Sequence, residues 1–159
     1  MAITPNDDFT AGQVLTATEC NNFPRGVMAR ATSSTSYTLT TSDTLSTGMT
    51  VTFTAVANRN YKITYFEPQV DSPSVAASSS NTRLHVTNTA GLLLQQGYST
   101  GLTAAKNYST INLIWVGTLT AGSTTIIGSS LCSVTTGTPL LNRNALAPAF
   151  LIVEDIGTA

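Results

Sequence analysis

The stretch Thr50-Val-Thr-Phe-Thr-Ala-Val-Ala-Asn-Arg-Asn-Tyr-Lys-Ile-Thr-Tyr-Phe66 decides the fold class. Val51, Phe53, Ala55 and Ala57 alternate with Thr50, Thr52, Thr54 and Val56. After Asn58-Arg59-Asn60 the alternation resumes, with Tyr61, Ile63 and Tyr65 set against Lys62, Thr64 and Phe66. A side-chain period of two sends one set to each face of an extended strand, whereas a helix would scatter the apolar set around its circumference. β-Branched and aromatic residues also suit a pleated, half-buried surface. Two half-buried strands joined at a short turn are predicted.

The same period continues outward from this stretch. Leu84 and Val86 share a face opposite Arg83, His85 and Thr87. Ile111, Leu113 and Trp115 lie opposite Asn112, Ile114 and Val116, and this strand is expected to be buried on both faces. Ile127 and Leu131 follow the turn Ala121-Gly122-Ser123, and Phe150, Ile152 and Ile156 alternate with Leu151, Val153 and Asp155. Residues 72–81 and 135–148, rich in Ser, Pro, Gly and Asn, read as surface loops. Residues 91–100 and 101–110 match at five of ten positions; one duplication falls short of the three or so repeats a solenoid needs and reads as a hairpin feature. The one helix-like piece lies where Thr16 or Thr18 caps a turn through Glu19, Cys20 and Asn21 ahead of Pro24. Residues 1–26 therefore read as an N-terminal arm and residues 27–159 as one β domain. About eight strands with almost no helix predict an antiparallel sandwich or barrel. Its edges have few Lys or Pro guards, so they require closure by Greek-key wrapping or by oligomerisation.

Composition narrows the function. A chain of 159 residues forms a core without metal or disulfide support. It carries 29 Thr and 16 Ser but only 9% charged residues, against about 25% in ordinary domains, so hydroxyls must solvate the surface. Mean hydropathy of +0.14 excludes the low-hydrophobicity, high-charge signature of disorder. Seven basic and eight acidic residues supply no electrostatic footprint for nucleic acid. The net charge of -1 leaves little self-repulsion, which permits close association between copies. The apolar runs at 113–116 and 149–153 are far shorter than the ~20 residues of a membrane-spanning helix. Residues 1–10 lack the basic and apolar regions of an export signal. Cys20 and Cys132, far apart and outside any CxxC pattern, read as reduced thiols.

No catalytic, metal-binding or cofactor motif emerges, and no small-molecule ligand is indicated. His85 is the single histidine and reads as exposed on a polar strand face, with no Gly-x-Ser-x-Gly elbow to serve. Glu19, Asp43, Glu67 and Asp71 leave a glycosidase-like carboxylate pair open, but no aromatic cluster marks a sugar cleft. Asp7-Asp8 and Glu154-Asp155 read as solvated positions. Glycines form no phosphate-cradling pattern. Asn107-Tyr108-Ser109 is a formal glycosylation sequon without a secretion signal to give it meaning.

Two segments carry a resemblance. Phe9-Thr-Ala-Gly-Gln-Val-Leu-Thr-Ala-Thr-Glu-Cys-Asn-Asn-Phe-Pro-Arg-Gly-Val-Met-Ala-Arg30 resembles the N-terminal segment of tailed-bacteriophage virion proteins, and the Val-Glu-Asp-Ile-Gly157 ending is similar to theirs. The body more distantly resembles the trimeric jelly roll of the tumour-necrosis-factor and C1q type. The relevant stretches are Arg59-Asn-Tyr-Lys-Ile63, Leu119-Thr-Ala-Gly122 and Ala149-Phe-Leu-Ile152, the first and last lacking the glycine of that family. The resemblance implies an all-β antiparallel jelly-roll sandwich with a short arm holding at most one small helix. It further implies a non-enzymatic homotrimer that decorates the outer face of a phage head by binding the major capsid protein. Phe9, Val14, Leu15 and Phe23 would be the apolar docking residues of the arm and Arg25 its polar one; the alternative is that they pack on their own domain. A minor tail, fibre or host-recognition protein, using the loops at 72–81 and 135–148, is the competing expectation.

Overall fold

The computed structural model describes Val14, residues 16–102 and residues 104–159. One short helix, α1 (Ala17–Asn22), precedes ten strands: β1 (Gly26–Ser33), β2 (Tyr37–Thr38), β3 (Thr44–Ala55), β4 (Arg59–Asp71), β5 (Ser79–Val86), β6 (Leu93–Thr100), β7 (Tyr108–Thr118), β8 (Gly122–Cys132), β9 (Leu140–Leu141) and β10 (Ala149–Thr158). One sheet runs β1-β10-β4-β7, with the small β9-β2 pair joining the far end of β4 where Val70 meets Leu141. The other runs β3-β8-β5-β6. Every pairing is antiparallel.

Leaving out the two-residue strands, first pairs with last, second with seventh, third with sixth and fourth with fifth. These are the pairings of a single long hairpin, and rolling it up sets β10 beside β4 and β8 beside β5. The result is a jelly-roll sandwich. The two strands joined by a short turn form as predicted, and the roll has the turn after Ala55 carry the chain from one sheet to the other. The roll also explains a departure from the sequence reading: the matching segments at 91–100 and 101–110 do not form a hairpin, because β6 and β7 lie in different sheets; the shared Tyr-Ser-Thr closes one strand and opens the next.

Alternation places Met49, Val51, Phe53 and Ala55 of β3 against Tyr61, Ile63 and Tyr65 of β4, with Leu84, Ile111, Leu113, Ile126, Leu151 and Val153 completing the core. β7 departs from expectation: Ile111 and Leu113 are buried, but Ile114 and Val116 are 47% and 55% exposed. A strand in a two-layer sandwich has only one face to bury. The segments read as surface loops are also partly interior. Residues 79–81 belong to β5, while Leu141 and Arg143 of the second segment are buried.

Arg143 enters because the pairing of β3 with β8 breaks between Leu45 and Thr50, where Gly48 adopts a left-handed φ of 76°. The bulge frees the Thr47 carbonyl, which accepts Arg143 Nη1 at 2.7 Å. Arg143 Nε donates to Glu67 Oε2 at 2.9 Å, and Nη2 donates to Oε1, which also accepts the Tyr65 hydroxyl. Burial lowers the tendency of the guanidinium to stay charged, but its hydrogen bonds and charge contact with Glu67, aided by Tyr65, outweigh that and raise its pKa. Burial, then the charge of Glu67, pushes the Tyr65 phenol well above its ordinary value. The network ties the end of β4, the β3 bulge and the segment before β10 into one unit. Arg143→Met is expected to destabilise the protein by about 3–5 kcal/mol, because it strands a buried carboxylate. Adding Glu67→Gln, which removes that charge, should recover part of the loss in urea denaturation.

Candidate functional site

The docking residues proposed from sequence belong to the arm, so its attachment defines the first candidate site. α1 opens directly after Thr16, whose carbonyl accepts the Cys20 amide at 3.0 Å, and it ends ahead of Pro24. Of the two threonines considered as caps, Thr16 therefore stands at the boundary and Thr18 inside the helix. A six-residue helix has little stability of its own; tertiary contacts hold it. Arg59, just past the left-handed turn residue Asn58, supplies them. Its Nη1 donates to the Asn21 carbonyl and its Nη2 to the Phe23 carbonyl at 2.6 Å. The same guanidinium forms a bidentate pair with Asp155, with Nε to Oδ2 at 2.8 Å and Nη2 to Oδ1 at 2.6 Å.

Asp155 was expected to be solvated, and the structure corrects this: its side chain is fully buried, whereas its neighbour Glu154 faces outward and pairs with Lys62 at 3.1 Å. Strand alternation forces one of the two inward, and Arg59 supplies the compensating charge. The bulge between Asp155 and Gly157 lets the Gly157 amide donate to Asp155 Oδ1 at 3.0 Å. Gly157 holds a φ of 118°, and a Cβ there would approach the Asn22 carbonyl and the Pro24 ring. The Val-Glu-Asp-Ile-Gly ending is thus the seat on which the arm rests.

The five arm residues separate on this geometry. Val14 is 85% exposed, and Phe23 lies at the surface with its carbonyl held by Arg59. Arg25 places Nε 3.9 Å from Asp155 Oδ2, on its own domain. Phe9 and Leu15 lie outside the described residues.

The opposite end of the sandwich gathers the loops. The Ser74 amide donates to the Thr136 carbonyl at 3.0 Å, and Ala77 to Gly101 at 2.9 Å. Lys106 Nζ reaches both Asp71 Oδ2 at 3.2 Å and the Thr138 carbonyl at 2.9 Å. Three segments distant in sequence thereby form one face, which carries the exposed Leu102 next to Gly101.

The carboxylates left open for catalysis fall apart spatially. Glu67 is committed to Arg143, Asp71 to Lys106 and Asp43 to Arg83, while the side chain of Glu19 lies outside the described set. His85, expected to be exposed, is only 4% exposed. The segments before β3 and after β5 fold over it, placing Asp43 Oδ2 3.4 Å from Nε2 and the Gly91 carbonyl 3.3 Å from Nδ1. Among the described residues, no group of three or more His, Cys, Asp or Glu side chains is arranged to hold a metal. Cys132 is buried and Cys20 exposed, and both are free thiols.

No family model and no curated protein matches the chain. Among solved structures, it overlays 13% of dimeric latent PorU from Porphyromonas gingivalis at a TM-score of 0.39 and 9% identity, using 84% of its own length. It overlays 18% of the MgGH51 α-L-arabinofuranosidase at 0.31 and 13% identity, again over 84% of this chain. A third overlay covers 99% of this chain and 42% of VP2 in the infectious bursal disease virus subviral particle, at 0.27 and 16% identity. The chain thus spans less than half the length of each, and overlays this loose transfer no function to it.

Burial raises the Asp155 pKa, but hydrogen bonds from Arg59 and the Gly157 amide, with the charges of Arg59 and Arg25, outweigh it and hold the carboxyl below its usual range. A depressed folded-state pKa contributes stability that is present above the unfolded value of ~4 and lost as pH falls through the folded value. Asp155→Asn is therefore expected to lower stability at neutral pH by about 3–5 kcal/mol. It should also flatten the acid-side decline in urea denaturation measured across pH, and speed amide exchange in residues 17–25.

Proposed function

We propose that this protein is a non-enzymatic structural component of a virus particle, a homotrimer that decorates the outside of a phage head and reinforces it through its N-terminal arm. The observation that carries the reading is the Arg59–Asp155 clamp. The two segments that resemble phage virion proteins, one near each end of the chain, converge on it. An arm held at its base by buried charge-assisted hydrogen bonds leaves a fixed point in a fixed direction, which is what a docking segment needs on a repetitive surface. The charge-poor, hydroxyl-rich surface agrees with a role in assembly.

The outer face of the six-stranded sheet supports self-association. Phe66 and Phe150 stack there with ring centroids 4.9 Å apart. The pairings of Ile152 with Thr64 and of Thr64 with Ile114 extend an apolar surface beside them, and Val116 adjoins it. The Lys62–Glu154 pair forms its rim. A threefold oligomer would present three equivalent arms to a threefold or quasi-threefold position of a shell. A protein that binds only the assembled shell stabilises it by RT ln(1 + [L]/Kd), about 2.7 kcal/mol per site at a hundredfold excess over Kd.

The competing reading, a tail or host-recognition role, is favoured by the consolidated loop face and its exposed Leu102. Copy number per virion separates the two. Quantitative mass spectrometry should find this chain in numbers comparable to the shell subunit; a few copies per particle would assign it to the tail. In solution, light scattering should give three times the chain mass of 16.6 kDa, and Ile114→Glu should yield a folded monomer. Removing residues 1–16, which leaves the Arg59 clamp in place, should abolish capsid binding without unfolding the domain.

A further inference from the structure

The chain has seven basic and eight acidic residues, and most of them cancel within it. Arg59 and Arg25 serve Asp155, Lys62 serves Glu154, Arg83 serves Asp43, Lys106 serves Asp71 and Arg143 serves Glu67. Among the described residues, Arg30 is the one cation with no carboxylate within pairing distance. The acidic residues that none of these pairs uses are Asp7, Asp8 and Glu19, all in the arm.

Arg30 occupies a particular place. It stands opposite Ile152 of β10, and the row continues through Thr64 of β4 to Ile114 of β7. Directly opposed residues of an antiparallel pair share a face. Leu151 and Val153 take the inner one, so Arg30 projects from the outer face, where it is exposed. The stacked Phe66 and Phe150 fill the adjoining row. Glu154, two positions beyond Ile152 on the same face, is already taken by Lys62 at 3.1 Å. Aromatic residues and arginine are the side chains that interface centres favour, and the guanidinium fork matches a carboxylate.

We propose that Arg30 of one copy pairs with Asp7 and Asp8 of its neighbour, so that the arm completes the interface on the outer face of the six-stranded sheet. The inference rests on the self-association read above. A cyclic oligomer is built from heterologous contacts, in which a patch on one copy meets a different patch on the next. This chain carries the two halves of such a contact separately, a cation on the sheet and two adjacent carboxylates on the arm. The stretch from Asp8 to Ala17 can span up to about 30 Å, enough to reach beyond its own domain. Glu19 lacks that reach, because α1 is held on its own chain through the Asn21 and Phe23 carbonyls. With carboxylates at two successive positions, one faces the sheet in either register of an extended chain.

The test is light scattering on a dilution series of the full chain at low salt, where charge contacts are least screened. Arg30→Glu should raise the concentration at which the oligomer half dissociates by about tenfold or more, with an unchanged circular-dichroism spectrum. Asp7→Lys combined with Asp8→Lys should do the same, and joining all three substitutions in one chain should restore association. The proposal is overturned if Arg30→Glu associates as the native chain does. It is equally overturned if the charge-swapped chain associates no better than either parent, which would assign the carboxylate facing Arg30 to another protein. An oligomer broken by Ile114→Glu but untouched by Arg30→Glu overturns this pairing alone and leaves self-association standing; a native chain that is monomeric at every concentration overturns both.

Discussion

The bidentate pair between Arg59 and Asp155 fixes how α1 and the last strand relate. A charge buried alone would be prohibitively unfavourable, so each residue requires the other, and two of the three guanidinium hydrogens left over find carbonyl acceptors. The carbonyls of Asn21 and Phe23 supply these. The pair thereby sets the position of α1, the entry into β1 at Gly26 and the bulge at Gly157. In a jelly roll the first and last long strands are neighbours, so a single contact at that edge can hold both α1 and β10.

The chain places much of its scarce charge inside. Arg59, Glu67, Asp71, Arg143 and Asp155 are all buried, in a protein with only 9% charged residues. Each buried arginine joins elements that backbone pairing alone would leave apart: Arg143 brings the segment before β10 onto the β3 bulge, and Arg59 brings the arm onto β10. Directional hydrogen bonds specify these junctions more narrowly than apolar contact does. The surface is left to threonine and serine, which are hydrated without adding strong repulsion between copies.

The architecture separates three surfaces. α1 and its clamp occupy one end of the sandwich, the consolidated loops occupy the other, and the outer face of the six-stranded sheet lies between them. Occupation of any one of these surfaces therefore leaves the others accessible.

The sequence by itself determined the class of fold and the course of most strands. The Val51–Ala55 and Tyr61–Tyr65 alternations report which side chains share a face, and that is a local property of the backbone. The short helix before Pro24 was equally legible, since its boundary depends on neighbours within a turn. Only the tertiary structure decided which strands became partners and what covered each face. Periodicity marks Ile114 and Val116 as apolar but is silent on whether a second layer packs over them. Likewise, the alternation at Glu154-Asp155 shows that one of the two points inward, yet the counter-charge that makes burial tolerable stands almost a hundred residues away at Arg59. His85 read as exposed for the same reason, because the segments that cover it arrive from outside its own strand. Burial and pairing are sums over contacts between distant parts of the chain, and a pattern read along the chain carries only the local term.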